Sequence, residues 1–492
     1  MRTHRPAAVV AASFLLLSGA AVAAPPAHAV PSAGLRAGDR ATDFDGDGYE
    51  DVLIGAPGGT AGGRTGAGYV TVQYGGPDGV GTVRGAVLDQ NTAGVPGAAE
   101  TGDGFGRALA TGDLDSDGYA DAVVGVPGED IEPLGDAGGV VVLWGSPTGL
   151  SGTGSAWLQA PAPAAGAAFG SALAAARFSP DIPGDQLAVI DRTDLTQFQY
   201  DERTRKAPAT RTGRVPGTPG HEIAPRSLTT GDYDDNGLAD LVVSGLTTGT
   251  EPGHGRSAVL LGEVQGLRFD HDLRGGPAVA SGDIDHDGYD DLVTGEPYSP
   301  DDGGATTTGG VVGVYHGSAG DGPVGAGGPG TPPVWWTQDT PGVPGGAEAG
   351  DGWGADLSVA DTDGDGFADV AIGAPGEDIG TVADAGAVWL LRGSAQGLTA
   401  TGAASWDQDA PGIPGAAERG DRWGGQVRLS DDDGDARAAL LAAAPGENTG
   451  DGIVWILPVG PGGVTATGSR TFDAGTFGGV EKSAGYGGAI DE

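Results

Sequence analysis

Residues 361–375 read Asp-Thr-Asp-Gly-Asp-Gly-Phe-Ala-Asp-Val-Ala-Ile-Gly-Ala-Pro. Carboxylates stand at positions 1, 3, 5 and 9 of the first nine residues, and Gly at position 6 permits a sharp turn. A β-branched apolar run follows at once. The same pattern returns at Asp43–Asp51, Asp113–Asp121, Asp232–Asp240 and Asp283–Asp291, with a worn copy from Asp431. Downstream of the copies come second apolar runs: Tyr69–Tyr74, Val140–Trp144, Ala258–Leu261, Val311–Tyr315, Ala387–Leu391 and Ile453–Leu457. Short apolar runs at a recurring spacing, parted by Gly- and Pro-rich turns, predict an all-β repeat architecture.

An aromatic-Gly pair leads the clearest copies. Phe105-Gly106, Trp353-Gly354 and Trp423-Gly424 each lie eight residues before their first Asp. Phe169-Gly170 looks the same, yet Arg177 stands eight residues on, and Gln186–Ile190 fits the strand after a lost loop. The copies therefore start at 43, 113, about 177, 232, 283, 361 and 431, which makes seven units.

This combination resembles the FG-GAP repeats of the integrin alpha-chain head, on Phe105-Gly106 with Asp113–Pro127 and on Trp353-Gly354 with Asp361–Pro375. The resemblance implies a seven-bladed β-propeller with four strands per blade. It also implies that the Asp loops join the first two strands of a blade and bind calcium. Ahead of 232 and 283 the aromatic-Gly pair is replaced by Ile223–Leu228 and Gly275–Ala280, so blade boundaries are less sharply marked there.

The loop chemistry also stands on the residues themselves. Oxygen side chains are supplied by Asp43, Asp45, Asp47 and Asp51; Asp113, Asp115, Asp117 and Asp121; Asp232, Asp234, Asn236 and Asp240; Asp283, Asp285, Asp287 and Asp291; and Asp361, Asp363, Asp365 and Asp369. A backbone carbonyl at position 7 would add one more: Tyr49, Tyr119, Leu238, Tyr289 or Phe367. Hard oxygen donors in this number select Ca²⁺ over transition metals, and without a cation the carboxylates repel. About five Ca²⁺ sites are expected. An EF-hand needs Glu at position 12 and a following helix. Position 12 here is Ile54, Val124, Val243, Thr294 or Ile372, inside a strand-like run. The copy at Asp431 has Ala436 and Ala439 at positions 6 and 9, so it is left out.

Composition narrows the class. A single core rarely extends past about 250–300 residues, so 492 residues require several domains or a repeat array. With 98 Gly and 34 Pro the composition borders on disorder, but regular apolar strands argue against that. A formal net charge of −42 repels phosphate backbones, which excludes nucleic acid as a partner and makes divalent cations the natural counter-charge. Arg2 and Arg5, the apolar stretch Ala7–Ala24 and Ala27-His28-Ala29 predict a secretory leader over 1–29, with a secreted propeller over 30–492. Beyond the leader no apolar run is long enough to span a membrane. There is no Cys, hence no disulfide framework.

Other features read as structural. The aromatic-Gly rings are expected to pack between blades. Arg419-Gly420-Asp421 belongs to a repeated Glu-x-Gly-Asp template, shared with Glu100–Asp103 and Glu348–Asp351. The basic stretch Asp201–Arg214 reads as a solvated outer turn and strand of the third blade. No nucleophile elbow, zinc-protease helix or phosphate loop occurs. The expected function is a monomeric calcium-binding adhesion or binding module for an extracellular protein or glycan. A secreted propeller enzyme acting on a polysaccharide is the alternative. Finally, Tyr486-Gly487 is an aromatic-Gly pair whose Asp loop would begin past the chain end, while the loop at Asp43 lacks a leading pair. A strand within 485–490 is therefore expected beside the strand that follows Asp51, closing the ring.

Overall fold

Runs such as Val52–Ala56, Asp121–Val126 and Asp369–Ala374 are buried at every residue. Val, Ile, Leu and Ala in unbroken sequence suit a strand covered on both faces, as one sheet stacked between two others requires. The computed structural model describes residues 42–81, 84–180, 183–201, 204–248, 252–298, 308–320, 322–325 and 332–491. All belong to one unit, Leu35–Glu492. The expected leader lies outside the described residues, as do Leu35 and Arg203.

Seven four-stranded antiparallel sheets form. The second blade contains Leu109–Gly112, Asp121–Val126, Gly139–Leu143 and Ala156–Leu158; the third contains Ala172–Ala176, Gln186–Ile190, Asp194–Gln199 and Ala209–Arg214. The fourth contains Ile223–Gly231, Asp240–Thr247, Gly255–Leu261 and Arg268–Arg274; the fifth contains Ala278–Gly282, Asp291–Glu296, Val311–Tyr315 and Val334–Trp336. The sixth contains Asp356–Ala360, Asp369–Ala374, Ala387–Arg392 and Thr399–Trp406; the seventh contains Gln426–Ser430, Ala439–Ala444, Ile453–Leu457 and Arg470–Asp473. First strands of successive blades lie side by side, from Leu109–Gly112 round to Gln426–Ser430 and then Ala489–Ile490. This is a β-propeller of seven blades. Among the described residues no helix is long and apolar enough to cross a membrane.

The first blade is composite. Val52–Ala56, Tyr69–Gln73 and Gly85–Leu88 come from one end of the chain and Ala489–Ile490 from the other, with Ile54 opposite Ile490 and Gly55 opposite Ala489. Tyr486 is fully buried, and its hydroxyl meets Thr71 at 2.8 Å and Gln73 at 2.9 Å. The Tyr486 N–H donates to the Asp451 carbonyl and the Gly487 N–H to the Gly55 carbonyl, both at 3.0 Å. In the second blade Phe105 donates to Ala67 at 2.8 Å and Gly106 to Gly125 at 3.0 Å. Tyr486-Gly487 thus occupies in the first blade the place that Phe105-Gly106 occupies in the second. The buried Asp491 carboxylate accepts the Leu53 N–H at 2.9 Å and pairs with Arg428.

Phe105, Phe169, Trp353 and Trp423 are wholly buried. Phe105 packs with Leu53 and Val70 of one blade and Val124 and Val141 of the next. Gly106 beside it takes a left-handed φ of 86°, and a Cβ there would stand 2.8 Å from Val70 Cγ1 and 3.0 Å from the Tyr69 carbonyl.

Candidate metal centre

The nine-residue loops enter the second strand of their blades, and each folds around its first carboxylate. In loop 113–121 the N–H groups of Asp117 and Gly118 donate to the two oxygens of Asp113, both at 3.1 Å. In loop 232–240 Asn236 and Gly237 donate to Asp232 at 3.0 and 2.9 Å, and in loop 283–291 Asp287 and Gly288 donate to Asp283 at 3.1 and 3.3 Å. Loop 43–51 uses Asp47 and Gly48 on Asp43, and loop 361–369 uses Gly364 and Gly366 on Asp361. Position 7 is drawn into the same turn: Tyr49, Tyr119, Leu238, Tyr289 and Phe367 donate their N–H to the position-5 side chains Asp47, Asp117, Asn236, Asp287 and Asp365. The glycine at position 6 takes a left-handed φ, 90° at Gly118 and 106° at Gly288, which a Cβ disfavours.

The ninth residue braces the loop. Asp51 accepts from Phe44 at 2.8 Å on one oxygen and from Gly75 at 2.9 Å on the other. Asp121 does the same with Leu114 and Gly145, Asp240 with Tyr233 and Gly262, Asp291 with Ile284 and Gly317, and Asp369 with Thr362 and Gly393. Each loop is thereby tied to the end of its blade's third strand. A carboxylate oxygen that accepts one N–H keeps a second lone pair for a further partner. The third blade has lost its loop but keeps Asp185, which accepts the Asp113 N–H at 2.9 Å.

Carboxylate oxygens converge in these loops. Asp43, Asp45 and Asp51 bring oxygens within 4.8 Å of one another, as do Asp113, Asp115 and Asp121; Asp232, Asp234 and Asp240; and Asp283, Asp285 and Asp287. Burial, with the neighbouring carboxylates adding to it, pushes Asp51, Asp121 and Asp240 up to about 8. Burial and the charges of Asp291 and Asp287 lift Asp285 to about 6. One buried oxygen of Asp115 and one of Asp285 have no hydrogen-bond partner. Clustered hard oxygens, reluctant to ionise together and partly unpartnered, are a donor set that fits a hard divalent cation such as Ca²⁺.

The surroundings of the loops differ in a way that sequence reasoning missed. Arg84 pairs with Asp45. Arg205, expected in a solvated turn, instead reaches back to Asp115 and Asp117 of the second blade, while Thr210–Arg214 of the outer strand are exposed. His316 Nδ1 lies 3.3 Å from Asp291 and 3.5 Å from Asp285. Arg392 lies 2.6 Å from Asp369 and 3.5 Å from Asp363. A signal existed for two of these. His316 and Arg392 directly precede Gly317 and Gly393, whose N–H groups hold the ninth carboxylate. Loop 232–240 makes no ion pair among the described residues; Leu261 precedes its Gly262. In the worn copy Asp431 still gathers the N–H groups of Asp435 and Ala436, but Arg437 pairs with Asp435 and Ala439 offers no carboxylate. An open cavity of about 520 Å³ adjoins loop 361–369, lined by Asp363, Asp365, Arg392, Gln396 and Thr399 among others.

Parts of the chain are similar to known proteins. Phosphatidylinositol-glycan-specific phospholipase D of Bos taurus is 36% identical over 107 residues, which are 22% of this chain and 13% of that protein. The Mus musculus protein of the same name gives 36% over 107 residues and 12% of its length. The chain thus spans about an eighth of the length of the curated relatives it matches. Among solved structures, Sqt1 of Saccharomyces cerevisiae aligns over 80% of this chain and 81% of its own, at 12% identity and a TM-score of 0.40. The FG-GAP repeat model matches residues 40–72, 105–143, 275–315 and 353–391, within the first, second, fifth and sixth blades. Four stretches of the chain thus carry FG-GAP repeats, and the chain is built as a seven-bladed β-propeller.

Proposed function

We propose that the chain is a secreted, calcium-binding propeller that serves as a non-catalytic binding module for an extracellular protein or glycan. The observation that carries this reading is the repeated loop: five copies, each gathering oxygen donors around one turn, three of them with a ninth carboxylate pushed to about 8. Such clusters are costly without a counter-charge and rigid with one. Extracellular calcium modules work at about 10⁻⁴–10⁻³ M, so occupancy would follow extracellular calcium. Metal loops would then stiffen one end of the blades while the remaining loops and the outer strands present the binding surface.

Calorimetry on chelator-treated protein tests the metal. About five Ca²⁺ per chain are expected; a count near zero would end the reading. Protein and glycan arrays probed with and without calcium test the partner. Ligands retained only with calcium are expected, and hydrolysis of an arrayed polysaccharide would favour the enzyme instead.

A further inference from the structure

The Glu-x-Gly-Asp template lies at the end of the blades opposite the Asp loops, and each copy belongs to a larger cluster. A Gln follows a blade's outermost strand: Gln90, Gln338 or Gln408. Ten residues on stands Glu100, Glu348 or Glu418, and three further on Asp103, Asp351 or Asp421. The next blade contributes Glu129, Glu377 or Glu447, beyond the end of its second strand. The Gln Nε2 donates to that Glu at 2.7, 2.8 and 2.7 Å, across 39 residues each time. The Asp accepts the N–H of its own Glu three residues back at 2.6, 2.7 and 2.6 Å. Every Gln and Asp of the set is 2% exposed or less. In every copy the Gln Oε1 is buried and has no hydrogen-bond partner among the described residues.

One copy differs from the other two. Where the second and seventh blades are approached, Ala67 and Ala385 accept the N–H of Phe105 and Trp423; the corresponding acceptor for Trp353 is Gly309. The point where a Cβ on Gly309 would stand lies 2.9 Å from Gln338 Oε1, 2.9 Å from the Glu348 carbonyl and 3.1 Å from Asp351 Oδ2. An amide oxygen, a peptide oxygen and a carboxylate thus converge on the same side of Gly309, closer than a methyl there would allow, with the Glu377 carboxylate held beside them by Gln338. Glu377 feels the negative charges of Asp351 and Glu348, and Asp351 those of Glu348 and Asp378. Burial first, then Asp351, raises Glu377 to about 7.

We propose that Gln338, Glu348, Asp351 and Glu377 form an inter-blade site for a hard divalent cation, between the fifth and sixth blades. Neutral and anionic oxygens converging on one point are the donors such an ion takes. The amide oxygen of Gln338, unpartnered among the described residues, is aimed where the ion would sit. Such a site would staple two blades at the end that the Asp loops do not reach, and it does not require those loops to be filled.

The test counts calcium bound to the full chain by equilibrium dialysis and atomic absorption. Glu377→Gln keeps the side-chain shape and can still accept from Gln338 Nε2. It should bind one ion fewer than the unsubstituted chain, whatever number the Asp loops hold. Glu447→Gln, where Ala385 carries the methyl, should leave the count unchanged. An unchanged count in Glu377→Gln would overturn the site and leave a carboxyl pair sharing a proton. An equal loss in Glu447→Gln would overturn its assignment to the Gly309 cradle. Should Glu377→Gln misfold, judged by circular dichroism, Gln338→Met removes the amide oxygen and is read by the same count: one ion fewer supports the site, no change overturns it.

Discussion

Loops 232–240 and 361–369 share a backbone but not an electrostatic setting. Both wrap their first carboxylate with backbone N–H groups, and both anchor the ninth through the glycine that ends the third strand. In the first, Asp240 has no cation beside it among the described residues, and burial lifts it to about 8. In the second, burial again lifts Asp369, but hydrogen bonds from Thr362 and Gly393 and the charge of Arg392 oppose the rise. An arginine at 2.6 Å already supplies part of what a metal would supply. Matching loop positions therefore do not imply matching affinity for an ion; in these two loops the residue before the glycine, Leu261 or Arg392, sets how much charge remains to be neutralised.

The largest expected effect is that of removing calcium altogether. A ligand at 100 times its dissociation constant stabilises by about 2.7 kcal/mol per site. Melting in excess chelator should fall well below melting in calcium. Asp234→Ala should remove more of that calcium-dependent shift than Asp363→Ala; equal losses would erase the distinction between the loops.

Next comes the brace itself. Asp240 is fully buried and satisfies the N–H groups of Tyr233 and Gly262. Asp240→Ala strands both, at about 1–3 kcal/mol each, and chemical denaturation should register the loss even in chelator. Asp240 also sets a pH dependence. Its folded value, about 8, lies above the usual carboxylate range near 3.9, so the metal-free fold holds a proton that the unfolded chain releases. That contribution is fully present below about pH 4 and is lost as pH rises through about 8. Metal-free Asp240→Asn should show a flatter decline across this window than the unsubstituted chain. Calcium affinity should rise over the same range, because protons compete for the ligands.

A smaller effect is expected at Arg392. Arg392→Leu removes the competing cation and should tighten calcium at loop 361–369 roughly tenfold, about 1.4 kcal/mol, read by calorimetry. No change would mean that the arginine swings aside without cost. The smallest lies in the worn copy. Ala436 keeps the left-handed turn at φ 64°, which an L side chain pays for with strain. Ala436→Gly should stabilise by about 1 kcal/mol, seen as a higher denaturant midpoint, without creating a calcium site.

Much of the architecture was legible because it repeats. Asp369-Val-Ala-Ile-Gly-Ala-Pro375 carries its turn, its strand and its ligand pattern within 15 residues that begin at Asp361. The aromatic-Gly pairs could be placed between blades from their spacing, since a ring and a close backbone approach recur together. The lost loop of the third blade was recognised from Phe169-Gly170 and Gln186–Ile190, but not that Asp185 survives in it to hold Asp113. The Glu-x-Gly-Asp template was seen as a template. Its partners were not, because Gln338 and Glu377 lie 39 residues apart on different blades.

The sequence by itself determined the repeat, the blade count and the chemistry of each loop, because these depend on residues within one turn and its flanking strand. Only the tertiary structure decided which charges face those loops. Arg205 meets Asp117 across 88 residues and an inter-blade boundary. The reason is physical: a long cationic side chain goes where burial leaves a carboxylate uncompensated, and that place exists only once blades are stacked.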